Sequence, residues 1–386
     1  IKDPHGVFPN QLHAALIRGN RLYLPNIGAA PEPPVRFDVN VQALVHVVDA
    51  DALSELTNLH VNLNAQIKNE PVPSDPTSLD KLFGNDIVAI DANRDGTDFL
   101  IVSRGGNYVI RAGLDANGKL DIGAPDNVVR FQVGNIPTGL VMSKDGRRAY
   151  VNNEVNASVS ILNLANNTVI THDVSSAAVP DPGSFAHGVL VGKLAFFTAL
   201  GVPDNGLSAL PIRNIVPLQF RGKQSNNAWS TCASCHPSGL SDGVTWFFAD
   251  GPSQTIPLDG LYSKISSAHD QRINNWSAVR GSTTDFNNNS RGVQGGIGFA
   301  SDAPFSSSVP NPNIFNHGVM HGGSEAMDLE TLWVQTIRPL TMPVHDKTHV
   351  SAGALVFNTN CASCHGGAKW TKSPEERRWQ DGTIPL

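Results

Sequence analysis

"PTGLVMSKDGRRAYVNNEVNASVSILNLANNTV" (Pro137–Val169) carries the sharpest pattern in the chain. Apolar and polar residues alternate through it, the period of a strand with one face buried. A first run ends at Asp145-Gly146, a second holds Tyr150-Val151, and a third closes before Asn167-Thr168. Asp-Gly and Asn-Thr are turn formers, so the stretch reads as antiparallel strands joined by tight turns.

Working outward, the same texture fills residues 1–185. "ALIRGNRLYLPN", "LVHVVDAD" and the run from Asp86 to Gly123 alternate in the same way. Turn pairs fall at Asp95-Gly96 and Asn117-Gly118 as well. The recurrence, roughly every 40 to 50 residues, suits the blades of a β-propeller. Pro137–Val169 resembles the YVTN-type propeller repeat, and the other blades are more divergent. Residues 1–185 supply about four blades at this period, fewer than such propellers usually have. The expected fold is thus a partial N-terminal β-propeller, with missing blades supplied by further chains. "DANRDGTD" (Asp91–Asp98) has the opening of a calcium loop, but Val102 stands where the loop needs Glu. A hairpin turn is the better reading.

From residue 186 the texture changes. "FAHGVLVGKLAFFTAL" has helical apolar spacing, and so has "VSAGALVFNTNCASCHGG". Each precedes a Cys-Ala-Ser-Cys-His. The two motifs, Cys232/Cys235/His236 and Cys361/Cys364/His365, use all 4 cysteines of the chain. C-x-x-C-H is the pattern of c-type haem attachment, the two thiols joining one porphyrin and the adjacent His binding its iron. A redox dithiol leaves the paired His unexplained. One zinc shared by both pairs, or two disulfides, are the remaining alternatives. The reading gives two covalent haems c, a first haem domain at 186–340 and a second at 341–386. The whole is a multidomain β + α chain, its C-terminal region mainly helical and cytochrome c-like. Haem c is assembled outside the cytoplasm, so the expected location is periplasmic, extracellular or at the cell surface.

"GKLAFF" followed by "CASCHPSGLSDGVTWFFADGPSQTIPLDG" resembles the diheme cytochrome c peroxidase and MauG-type family, over about 187 to 370. The resemblance implies a reactive first haem with an exchangeable sixth position, and a second haem that feeds it electrons. That family takes the distal ligand of its second haem well downstream of the motif. Here only 21 residues follow His365, with no Met, His or Tyr among them. Both ends of the chain therefore read as incomplete.

Distal ligands are sought between the motifs. His269, His317, His321, His345 and His349 lie there, with Met342 also in reach. His317 and His321 sit in "NHGVMHGG"; Met342, His345 and His349 sit in "LTMPVHDKTH". Arg272, Arg280 and Arg291 suit haem propionates. Trp246 and Trp276 could wall a porphyrin, with core packing the blander reading. Asp285 is the carboxylate where an acid–base partner for peroxide cleavage is sought. His46, His60, His172 and His187 read as structural. "SEAMDLETLWVQTIRPL" reads as a helix capped by Ser324, linking the haem domains.

Composition narrows the function. Charged residues are 16% and the net charge is −6, so there is no basic footprint for nucleic acid. No apolar run is long enough for a membrane span. The leading expectation is electron transfer to a redox partner protein, the propeller serving as docking platform. The alternative is a peroxidase-type oxidoreductase working at the first haem, and a redox-inert structural module is the third.

Overall fold

The computed structural model describes residues 6–32, 35, 38–248, 251–259, 261, 283–299, 324–337 and 346–365. Three antiparallel sheets follow in chain order. The first holds β1 (Phe8–Leu12), β2 (Leu16–Arg18), β3 (Arg21–Ala29), β4 (Val41–Asp49), β5 (Ser54–Glu55) and β6 (Val61–Asn62). The second holds β7 (Ile87–Ala92), β8 (Phe99–Ser103), β9 (Tyr108–Leu114), β10 (Leu120–Asp121) and β11 (Val129–Gln132). The third is a plain up-and-down meander of β12 (Pro137–Met142), β13 (Arg148–Asn153), β14 (Ser158–Asn163) and β15 (Thr168–Ser175).

The meander follows its sequence closely. Gly146 takes φ +68° at the Asp-Gly turn, where Asp145 accepts from the Ser143 hydroxyl and the Arg147 N–H. Asn167 takes φ +56° before β15. Asn tolerates that left-handed conformation better than most residues. Asp91–Asp98 is a hairpin turn between β7 and β8. Asn93 Oδ1 accepts the N–H of Thr97 and Asp98, and Gly96 supplies the positive φ.

The sheets stack face to face, and β8 shows how. All five of its residues, Phe99 to Ser103, are buried. Phe99 and Ile101 join a core shared with the first sheet, while Leu100 and Val102 join one shared with the third. A continuous apolar strand is what a sheet covered on both faces requires. Asp91 ties all three sheets: Oδ1 accepts from Arg18 at 2.6 Å, and Oδ2 from the Met142 N–H at 2.8 Å. Stacked, curled meanders of this kind are propeller-like. The described residues form three such sheets, not four blades' worth, because residues 63–86 take another course. There the short helix α1 (Leu63–Ile67) and a segment with Pro71, Pro73 and Pro76 replace strands. Proline removes the N–H that a ladder needs.

Helices follow at α2 (Phe185–Phe197), α3 (Asn287–Gly292), α4 (Glu325–Thr336), α5 (Lys347–Asn360) and α6 (Ala362–His365). A small hairpin, β16 (Thr245–Phe248) and β17 (Gly251–Gln254), lies between α2 and α3. Ser184 and Ser324 cap α2 and α4, accepting from the N–H of His187 and Met327. α4, expected to join the haem domains, also has a packing role of its own. It packs lengthwise on α2, burying Met327, Leu329, Trp333 and Val334 with Val191, Leu194, Phe196 and Phe197. Gly188 and Gly192, one turn apart on α2, permit the approach. A Cβ on Gly192 would lie 1.8 Å from the Leu329 carbonyl oxygen.

Candidate functional site

The first Cys-x-x-Cys-His is held by the sheets. Trp229, 1% exposed, donates from its indole N–H to the Val41 carbonyl of β4 at 2.8 Å. Buried Asn85, just before β7, donates to the Trp229 carbonyl at 2.9 Å and to the Ser234 hydroxyl at 3.1 Å. Gln11 of β1 donates to the Ser234 carbonyl at 2.6 Å. Three anchors far apart in sequence thus fix one turn. Residues 199–229 also share the first sheet's core through Ala199, Leu200, Leu218 and Ala228.

Within the turn, the Cys235 and His236 N–H groups both donate to the Cys232 carbonyl, at 3.3 and 2.9 Å. This is one helical turn, so positions i, i+3 and i+4 share a face. Cys232 packs on the helical core and Cys235 on the sheet core, so the motif straddles the seam between them. His236 Nδ1 donates to the Leu240 carbonyl at 3.0 Å. Burial is the main reason the imidazole is lowered to about 4, which keeps it neutral at neutral pH.

Burial also pushes both thiols well above the ordinary range, with Glu330 adding to the effect at Cys232 and Asp242 at Cys235. A redox C-x-x-C needs the opposite shift, because the thiolate is the nucleophile. No disulfide joins any of the four cysteines. Among the described residues, no three His, Cys, Asp or Glu side chains are grouped to hold a metal ion.

The second motif repeats the backbone in a different setting. The Cys364 and His365 N–H groups donate to the Cys361 carbonyl at 3.1 and 2.8 Å. None of the residues of α5 or α6 is buried, and Val350, Leu355 and Val356 are exposed.

Several sequence candidates fall outside the described residues: His269, His317, His321, Met342, His345, Trp276, Arg272 and Arg280, as does the side chain of Asp285. Three others can be placed. His349 lies on α5, paired with Asp346 at 2.9 Å. At about 1.5 Å per residue, it stands roughly 18 Å along the helix from Cys361. Trp246 is a core residue, its indole N–H bonded to Asp242 at 2.9 Å. Arg291 donates to the Ile297 carbonyl at 2.8 Å. His46 bonds Asn26, and His187 Nε2 donates to the Leu210 carbonyl.

Sequence reasoning missed Glu330 and Gln224. Glu330 is 2% exposed, with Oε1 3.4 Å from Cys232 Sγ. Burial raises its carboxyl to about 7. Gln224 Nε2 lies 3.5 Å from the same sulfur and bonds Gln294. The signal for Glu330 was present: it interrupts the buried stripe of Ala326, Met327, Trp333 and Val334 on α4.

No protein-family model matches this chain, and no curated protein does. Among solved structures, it is similar to hydrazine synthase of Kuenenia stuttgartiensis at 15% identity and a TM-score of 0.30, over 40% of this chain and 46% of that one. It is similar to a putative 6-phosphogluconolactonase from Bacteroides fragilis at 16% identity and a TM-score of 0.28, over 43% and 42%. The β-propeller domain of the trilobed protease from Pyrococcus furiosus is another, at 7% identity and a TM-score of 0.25, over 43% of each chain. The chain spans less than half the length of these three structures. No helix among the described residues is long and apolar enough to cross a membrane.

Proposed function

We propose that this chain is an exported diheme c-type cytochrome that passes single electrons to a redox partner protein. In this reading Cys232 and Cys235 anchor one haem and Cys361 and Cys364 the other, with His236 and His365 as proximal iron ligands. One observation carries it: both motifs close the same turn, with the His N–H on the first Cys carbonyl. Two sulfurs and an imidazole then share a face, as one macrocycle requires. At the first motif the fit extends to the ring. The Leu240 carbonyl takes the Nδ1–H, and burial favours the neutral imidazole, the form that ligates. When bound, a haem supplies one-electron chemistry; the chain supplies its anchorage, orientation and dielectric.

The propeller-like sheets act as the docking and assembly platform. The outer face of the third sheet carries Val141, Tyr150, Ile161 and Val174, with Val141 54% exposed. Further chains that complete the propeller would cover such a face. The periplasm or cell surface is the compartment consistent with covalent haem.

The second reading is a peroxidase or MauG-like oxidoreductase activating peroxide at the first motif. The asymmetry of the two sites favours it, one fixed in the core and the other exposed on its helix. Visible and spin-resonance spectra of the protein separate the readings. Two low-spin centres unmoved by cyanide support the relay. A high-spin component that shifts with cyanide or peroxide supports the enzyme. Full-length C232S/C235S and C361S/C364S variants should each lose half the haem. Variants that keep all of it would remove both readings.

A further inference from the structure

Glu330 is a buried carboxyl with an unusual neighbourhood. It sits amid the apolar stripe of α4, and among the described residues Cys232 is its one polar partner. Among the described residues, the following charged and titratable groups on the surrounding elements are engaged elsewhere. On α2, His187 donates to the Leu210 carbonyl and Lys193 pairs with Glu154. From the 283–299 segment, Arg291 donates to the Ile297 carbonyl. On α4 itself, Glu325 accepts the N–H groups of Leu207 and Ser208. At the motif, Asp242 faces the Trp246 indole. Gln224, beside Cys232, is neutral. A buried carboxylate that no cation among the described residues meets is costly unless it neutralises.

We propose that Glu330 is the proton-exchanging group of the first haem centre, taking up a proton as an electron arrives and releasing it as the electron leaves. The inference rests on the haem reading above and deepens it. The electron comes from the one-electron donor, which is oxidised, and the proton from water. Thioether formation removes the Sγ hydrogen of Cys232, so in the loaded protein the sulfur can no longer donate to Glu330 Oε1. An added electron then raises the local negative potential, which favours the neutral carboxyl. Burial already holds that carboxyl near neutrality, where small changes in potential move protons. Glu330 is a positioning and tuning residue in this account, acting on the centre through its charge.

The test uses the full-length chain carrying C361S/C364S, so that only the first haem titrates. Its haem content is read first from its spectrum; a colourless product would sink the haem reading and leave nothing to titrate. With haem present, redox titrations are run between pH 5.5 and 8.5. The reduction equilibrium should weaken as pH rises, toward the limit of tenfold per pH unit, about 59 mV. Adding Glu330→Gln should flatten that dependence, and Glu330→Asp should keep it. A flat profile in the parent, or an unchanged slope in E330Q, overturns the proposal. Should E330Q fail to fold, redox-difference infrared spectra of the parent decide the matter. A protonated-carboxyl band that grows on reduction and shifts in heavy water supports the proposal, and its absence refutes it.

Discussion

Replacing Gly192 by Ala tests the close approach that seats α4 beside the first motif. The added Cβ would lie 1.8 Å from the Leu329 carbonyl oxygen and 2.5 Å from its carbonyl carbon. Real Cβ atoms keep at least 3.0 Å, so the helices must part by about 1.2 Å. The obstacle is helix backbone, which cannot rotate aside. A gap of that size forfeits much of the dispersion energy across the face. Overpacking of this kind costs about 1–3 kcal/mol, and the parted face adds to it. Ala gains about 1 kcal/mol over Gly in helix propensity, which offsets part of the loss. The net expectation is a destabilisation of roughly 2 kcal/mol. Gly188→Ala is the control on the same face. Its Cβ meets only the Cδ2 atoms of Leu332 and Leu329, at 3.0 and 3.2 Å. Those side-chain ends can give way, so G188A should fall within about 1 kcal/mol of the parent. Urea denaturation followed by far-UV circular dichroism measures both. Equal midpoints for the two variants would refute the packing argument.

Asn85→Ala removes two buried hydrogen bonds and leaves the Trp229 carbonyl without its Asn85 donor, costing roughly 2–3 kcal/mol. The same variant should bind haem less fully at the first motif than at the second, read by spectroscopy on C361S/C364S and C232S/C235S backgrounds. Glu330 makes stability depend on pH. Its carboxyl titrates at 4.5 ordinarily and at about 7 in the fold, so between those values the native state holds a proton that the unfolded chain has lost. Stability therefore falls as pH rises through that window, by roughly 3 kcal/mol in all. Urea midpoints of E330Q should lack that decline, and a parallel decline in parent and variant would assign it elsewhere.

What could be read from sequence followed local rules. Pro137–Val169 gave up its strands and turns because alternation and Asp145-Gly146 act over a few residues. Ser324 announced α4 in the same way. Longer-range facts were hidden. Asn85, Gln11 and Trp229 lie far apart in the chain, and only folding brings them to one turn. The α2–α4 contact was hidden too, since Gly188 and Gly192 read as ordinary helical glycines until Leu329 is seen above them. Residues 63–86 broke the blade period, with a short helix and prolines at 71, 73 and 76 in place of strands. The two Cys-x-x-Cys-His motifs are identical in letters and in turn geometry, yet one lies in the seam of two cores and the other on an exposed helix. Nothing within five letters distinguishes them; the difference lies in what Asn85, Glu330 and Gln224 bring to the first.

The most direct measurement is the intact mass of the full-length chain, produced in an export system that attaches haem c. The bare chain is 41.2 kDa. Covalent attachment at both motifs predicts a single species heavier by two haem groups, retained after acid extraction. A denatured chain that returns to the bare mass, with all four thiols open to alkylation, would contradict the account.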